Sequence, residues 1–358
     1  MPRVGSLPLL LMLLCATAGA QEHKSVDKHV TVIKESGRFS AWPANRGIWN
    51  WGDEILVGIV HGYYEENPTG GHDIDGDKKS DDLLARSLDG GETWEIEKRT
   101  VEAPNGEAPG TPYDFQADDV ALNFRGGNWF ISQNRGKTWI GPYPLPTFGR
   151  PGLLARTDYL VEGPQRVTAF IAAQKTGGDE GQPLCIRTED GGMTWKFVGW
   201  IGPEPPEDYG YAIMPATVGL GGDNYLSFIR RGGRFDGEKA WWIEPYMSPD
   251  DGKSWYLLEE PRIENAGNPA TLTRLNNGSL ALAYGWRSAP FGIRARISED
   301  NGQTWSTERI LRADGASWDI GYPRTVQRTD GQCVTVYYYH HPDQKERYIA
   351  ATIWDPAE

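Results

Sequence analysis

The sequence is poor in cysteine, in positive charge and in long apolar runs, and each shortage excludes something. Only three cysteines occur in 358 residues. Cys15 falls in a leader-like N-terminus, which leaves Cys185 and Cys333 as the one pair an exported chain could oxidise. Lys and Arg number 36 against 49 Asp and Glu, a formal net charge of -13. No basic stripe appears, which excludes nucleic acid and anionic lipid as partners. An anionic sugar remains open to such a chain, but only through a local arginine cluster. The apolar run at Leu7–Leu14 is too short to span a bilayer, and no later segment does so.

That run reads instead as the centre of a signal peptide over residues 1–20. Arg3 supplies the positive start and Ala18-Gly19-Ala20 the small-residue cleavage site before Gln21. The expectation is an exported protein, periplasmic or extracellular, with residues 21–358 forming one domain.

What the sequence has in abundance is turn formers and aromatics: 44 Gly, 25 Pro and 15 Trp. A short phrase recurs among them. It reads Ser87-Leu-Asp89-Gly-Gly91-Glu-Thr93-Trp94, then Thr188-Glu-Asp190-Gly-Gly192-Met-Thr194-Trp195. It returns as Ser248-Pro-Asp250-Asp-Gly252-Lys-Ser254-Trp255 and as Ser298-Glu-Asp300-Asn-Gly302-Gln-Thr304-Trp305. A weaker copy, Ser132-Gln-Asn134-Arg-Gly136-Lys-Thr138-Trp139, carries Asn for Asp. The starts are 45, 56, 60 and 50 residues apart, a period of stacked supersecondary units. Each phrase suits a hairpin turn: Asp accepts backbone N–H bonds, Gly takes a positive φ, and Trp packs back between sheets.

The phrase is that of the Asp-box, or BNR, repeat, and from about residue 38 to the C-terminus the chain resembles bacterial sialidase-like propellers. A unit of this length suits a four-stranded antiparallel blade. The fold class expected is therefore all-β, a six-bladed β-propeller. Its last blade begins near Tyr322 and lacks an outer strand, which His29–Lys34 supplies. Cys185 and Cys333 then lie three blades apart, as two buried free thiols.

In such a meander the boxes mark one face, so strand-one starts and the strand two-to-three connections mark the other, at the mouth of the central channel. Trp42, Met214, Asn268 and Tyr322 each precede a proline at a strand-one start, and blade two offers Asp118-Asp119. Arg230, Arg231, Arg287 and His340 end second strands. Rim packing is the plain alternative for this set. The longest connection, His61 to Asp82, carries Asp73, Asp75 and Asp77 with the alternation of a Ca²⁺ loop, but Leu84 stands where its closing Glu belongs. An acid on a flexible loop is the competing reading.

Sialidases use an arginine triad for the substrate carboxylate, an Asp acid/base, and a Tyr nucleophile activated by a Glu. The resemblance implies Asp75 or Asp77 as the acid/base and Tyr322 as the nucleophile. It implies Arg230, Arg287 and Arg324 as ligands of an anionic group, beside Trp42, Asn268 and Asp119, which the strand geometry places at the mouth. The first arginine of the triad is replaced near Ala41 and Trp42; Arg46 lies close by but is not equivalent. The activating Glu is replaced by Met214, which leaves Glu244 as the nearest carboxylate for that task. A phenol suits an anionic sugar, because a carboxylate nucleophile would be repelled. The expected function is a monomeric glycan-active enzyme, an exo-glycosidase on terminal sialic acid or another acidic sugar, with no cofactor beyond a Ca²⁺ at Asp73, Asp75 and Asp77. A lyase of uronate-containing polysaccharide, using Tyr322 or His61 as base, and a non-catalytic carbohydrate-binding propeller are the alternatives.

Overall fold

The computed structural model describes residues 27–206, 210–235 and 237–358; the leader proposed at 1–20 lies outside them. Six sheets follow one another along the chain. Blade five shows the plan: Ala270–Arg274 innermost, then Leu280–Trp286, Gly292–Ser298 and Arg309–Arg312, each antiparallel to the last. The last sheet takes Lys28–Ile33 as its outermost strand, paired antiparallel with Tyr348–Trp354. Pairing there removes an exposed edge.

The box turns hold as the sequence predicts. In the fifth blade the Asp300 carboxylate accepts from the Thr304 N–H at 2.8 Å, the Thr304 hydroxyl at 2.6 Å and the Ser298 hydroxyl at 2.9 Å. Gly302 sits at φ 85°. A Cβ there would lie 2.5 Å from Leu226 of the preceding blade, so close blade stacking requires the glycine. Trp305 then meets Phe228 of that blade edge-on, ring centroids 5.4 Å apart. Blade cores are thus shared between neighbours, and Cys185 and Cys333 are buried free thiols within them.

Two blades depart from the plan. In blade one the inner strand is split into Arg38–Ala41 and Ile48–Trp51 by the helical turn Pro43–Arg46. In blade two the box follows Asn128–Ser132, so the innermost strand Ala121–Arg125 runs from the box face towards the mouth, and Val101–Glu102 adds on the outside in parallel. This reverses the expected position of Asp119. It lies on the box face, where its carboxylate pairs with Arg135 of the box turn at 2.7 Å, and it is no part of the mouth.

Candidate functional site

Three residues that precede prolines adopt positive φ: Trp42 at 59°, Met214 at 54° and Tyr322 at 48°. A side chain with a Cβ disfavours this region, and a following proline disfavours helical backbone. Such strain persists only where the surrounding fold imposes it, and it concentrates at functional sites. Here it turns all three side chains into one cluster at the mouth, together with Tyr338. The Arg230 guanidinium donates to the Tyr322 hydroxyl at 2.9 Å, with the Met214 sulfur 3.7 Å away.

Arg287 comes in from the other side. Its centre lies 5.4 Å from the Tyr322 ring centroid and 5.2 Å from that of Trp318, while Nη2 donates to the Tyr338 hydroxyl at 2.8 Å. Arg156 completes the cationic side: it donates to Asn45 at 3.0 Å and to the Ala155 carbonyl at 3.1 Å. Burial lowers its pKa, against the pull of Tyr322 and Glu180.

A dyad absent from the sequence reading closes the site. The loop after Glu54–Tyr63 folds back through a bridge between Tyr64 and Ile74, which sets His72 against Trp42 and Trp318, ring centroids 5.1 and 5.4 Å apart. His72 Nδ1 meets the buried Asp319 carboxylate at 2.6 Å. That carboxylate also accepts from the Tyr338 hydroxyl at 2.7 Å and faces Arg347 Nε at 3.2 Å. Burial pushes the Asp319 carboxyl up, but the His72 hydrogen bond and the His72 and Arg347 charges outweigh it and hold it below its ordinary value. An anionic Asp319 accepts from Nδ1–H and leaves Nε2, on a one-third exposed ring, as the nitrogen that exchanges a proton with a ligand.

The remaining candidates lie elsewhere or serve the backbone. Asn268 is fully buried: its side chain accepts from the Tyr322 N–H at 3.0 Å and donates to the Ile320 carbonyl at 2.8 Å, so it positions Tyr322 rather than facing a ligand. Arg324 points down the channel, donating to the Thr157 and Ala44 carbonyls at 2.6 and 3.0 Å. It lines a cavity of about 790 Å³ that opens on the box face, away from Tyr322. Glu244 is on the wrong side of its sheet. Arg230 stands opposite Ile243, and Glu244 stands opposite the adjacent Ile229, so alternation sends the two side chains to opposite faces. Glu244 accepts instead from Trp242 at 2.6 Å and Tyr246 at 2.8 Å.

Asp75 holds the turn of its loop, accepting from the Asp77 N–H at 3.0 Å and pairing with Lys78 at 2.9 Å, while Asp77 itself is exposed. The Lys78 hydrogen bond holds the Asp75 carboxyl below its usual range. Asp73 pairs with Arg347 at 2.9 Å. Asp73 and Asp75 therefore have separate partners while Asp77 faces solvent, and among the described residues no cluster is placed to hold a metal. His61 is buried against Ser40 at 2.7 Å and Glu35 at 3.2 Å, outside the mouth. Arg46 ends the helical turn after Trp42 and faces Asp82 at 3.2 Å.

A family model described as a BNR repeat-like domain matches residues 120–335. No curated protein matches the sequence. Among solved structures, a protein of unknown function from Dyadobacter fermentans is similar with a TM-score of 0.70 and 21% identity, over 92% of this chain and 98% of that one. A mutant of the NanB sialidase from Streptococcus pneumoniae gives 0.57 and 13%, over 88% and 68%. An alpha-L-arabinanase from Penicillium chrysogenum, complexed with arabinobiose, gives 0.56 and 14%, over 92% and 98%. At such identities the likeness is one of fold.

Proposed function

This chain belongs to the family of BNR repeat-like domains, and from that premise we propose that it is a glycan-active enzyme working on an acidic sugar held in the mouth. The observation that carries the reading is the hydrogen bond of 2.9 Å from Arg230 to the Tyr322 hydroxyl. A guanidinium donating to that oxygen fixes it at the mouth and sets a positive charge beside the atom that would attack carbon or remove a proton. Arg230 and Arg287 offer charge to the sugar's carboxylate, and Trp42 and Trp318 offer faces for its ring. His72, oriented by Asp319, takes the acid/base role for which Asp75 and Asp77 were candidates. The sialidase and arabinanase folds of the structural neighbours lend support at the level of scaffold.

Hydrolysis of a terminal acidic sugar such as sialic acid is the first form of this reading. One observation favours a second, elimination at a uronate: no carboxylate is bonded to the Tyr322 hydroxyl among the described residues, where a sialidase has its activating Glu. In elimination the phenolate takes the proton beside the sugar's carboxylate. The electron pair forms the ring double bond, the glycosidic oxygen leaves with the Nε2 proton of His72 in its imidazolium form, and the proton gained by Tyr322 returns to His72 through solvent.

The test is incubation of the purified protein with a fluorogenic sialoside and a panel of acidic polysaccharides, beside a Tyr322→Phe control. Released sialic acid that vanishes in the control establishes a sialidase. Ultraviolet absorbance of an unsaturated uronate establishes a lyase. Retained binding without turnover on every member makes the protein a carbohydrate-binding propeller and refutes the enzymatic reading. We further propose export as a monomer, which N-terminal sequencing and light scattering of the protein recovered outside the cytoplasm will check.

A further inference from the structure

Arginines in this molecule are mostly matched by acids. Arg86 has Glu54 and Glu97 at 2.6 Å each. Arg166 and Arg187 share Asp251 and Glu162, and Arg312 has Asp314. The mouth end of blades one and two breaks this pattern. There Arg46, Arg99 and Arg125 all converge on a single carboxylate, Asp82. Three guanidinium groups against one carboxylate leave a local surplus of two positive charges in a protein whose formal net charge is -13.

The surplus is built in. Arg99 forms the back wall, 4% exposed, stacked 4.5 Å from the Phe130 ring centroid and bonded to Asn123 at 3.1 Å. Asn123 is itself held by Thr157 at 2.7 Å. Arg46 and Arg125 keep 27% and 17% of their side chains exposed. The Nε atoms of Arg99 and Arg125 are buried without a hydrogen-bond partner among the described residues, and that of Arg46 meets only Asp82, at 3.2 Å. Burial and then the Arg125 charge pull Arg46 down to about 10 and Arg99 to about 9, the signature of a site short of negative charge.

The cluster is continuous with the mouth. Arg46 lies four positions past Trp42, at the end of the Pro43–Arg46 helical turn, about 6 Å of rise away. Arg156, bonded to Asn45 of that turn, feels the charges of Tyr322 and Arg230 on its other side, and Arg46 feels the charge of Arg156. We propose that Arg46, Arg99 and Arg125 form a second anion subsite, which takes the carboxylate or sulfate of a sugar next to the one at Tyr322. The ligand is then an acidic oligosaccharide engaged at two points, and the site acts within or near the end of a polyanionic chain rather than on an isolated terminal sugar. This rests on the glycan reading above.

Calorimetric titration with galacturonate, with oligogalacturonates and with sulfated oligosaccharides tests it and separates the carboxylate source from the sulfate. The oligosaccharide of one class is expected to bind the wild type at least tenfold more tightly than its monosaccharide. Arg125→Gln is expected to remove about tenfold of that gain, leave the monosaccharide unaffected and lower the dependence of affinity on salt. Asp82→Asn removes the competing carboxylate and is expected to tighten oligosaccharide binding several-fold, a direction that mere misfolding cannot produce. Oligosaccharide binding indifferent to both substitutions overturns the subsite while leaving the glycan reading intact. Failure of every acidic glycan to bind the wild type overturns both.

Discussion

The most exposing perturbation of the mouth is the removal of its buried carboxylate. Asp319 is 0% exposed and receives His72 at 2.6 Å, Tyr338 at 2.7 Å and Arg347 at 3.2 Å. Asp319→Ala strips all three of their acceptor. Breaking a buried charge pair on one side costs about 3–5 kcal/mol, or roughly 4–7 °C in Tm for a chain of this size. Asp319→Asn keeps the volume and an acceptor for Tyr338, so a smaller loss of about 1.5–3 kcal/mol is expected. The pH dependence has a definite sign. The folded carboxyl titrates below its unfolded value, so its contribution is fully present above the unfolded carboxylate range and fades as pH falls through the lower, folded value. Thermal unfolding of wild type and Asn variant from pH 7 downwards reads this directly: the gap between them is widest at neutrality and closes in acid. A change below about 2 °C in the Ala variant, or a gap that persists undiminished in acid, refutes the assignment of Asp319 as the anionic anchor of His72.

Gly302→Ala places a Cβ 2.5 Å from Leu226 at a φ of 85°, and urea unfolding is expected to show a loss of about 2–4 kcal/mol. The box carboxylates Asp89, Asp190, Asp250 and Asp300 all titrate below their ordinary range, Asp89 at about 2, where the Thr93 and Ser87 hydrogen bonds outweigh its desolvation. Their support is present near neutrality and is lost as pH falls through those depressed values, so Asp89→Asn flattens the acid limb of a Tm-against-pH curve. Burial pushes the Cys185 and Cys333 thiols up, and a thiol reagent is expected to label neither until denaturant is added, then both.

The repeating units were legible because each box is a local sentence: its carboxylate, glycine and tryptophan act within eight residues of one another. Trp42, Met214 and Tyr322 were legible for a backbone reason, a proline at a strand start, and Arg230 and Arg287 because strand ends face the mouth. The failures are failures of parity and of range. Glu244 sits one residue out of step with the partner of Arg230, which only the cross-strand register reveals. Asp119 was misplaced because blade two begins its inner strand from the opposite face. Arg324 follows Tyr322 by two residues on the same strand, yet those two steps carry it past the mouth into the channel. His72 and Asp319 are 247 positions apart, and only ring closure joins them. A faint signal existed: a carboxylate three residues before Tyr322, and a histidine in the longest loop.

That closure has a consequence for the order in which the molecule comes into being. Lys28–Ile33 must wait for Tyr348–Trp354 before it has anything to pair with. Until Tyr348–Trp354 emerges, the growing chain is an arc with two naked strand edges, and the dyad that spans the seam does not exist. Loop closure over so great a sequence separation is slow, and truncation by even a single C-terminal strand leaves a half-formed ring prone to join another. Assembly of the mouth therefore waits on the closing strand: the blades can stack early, but the ring is joined at Tyr348–Trp354.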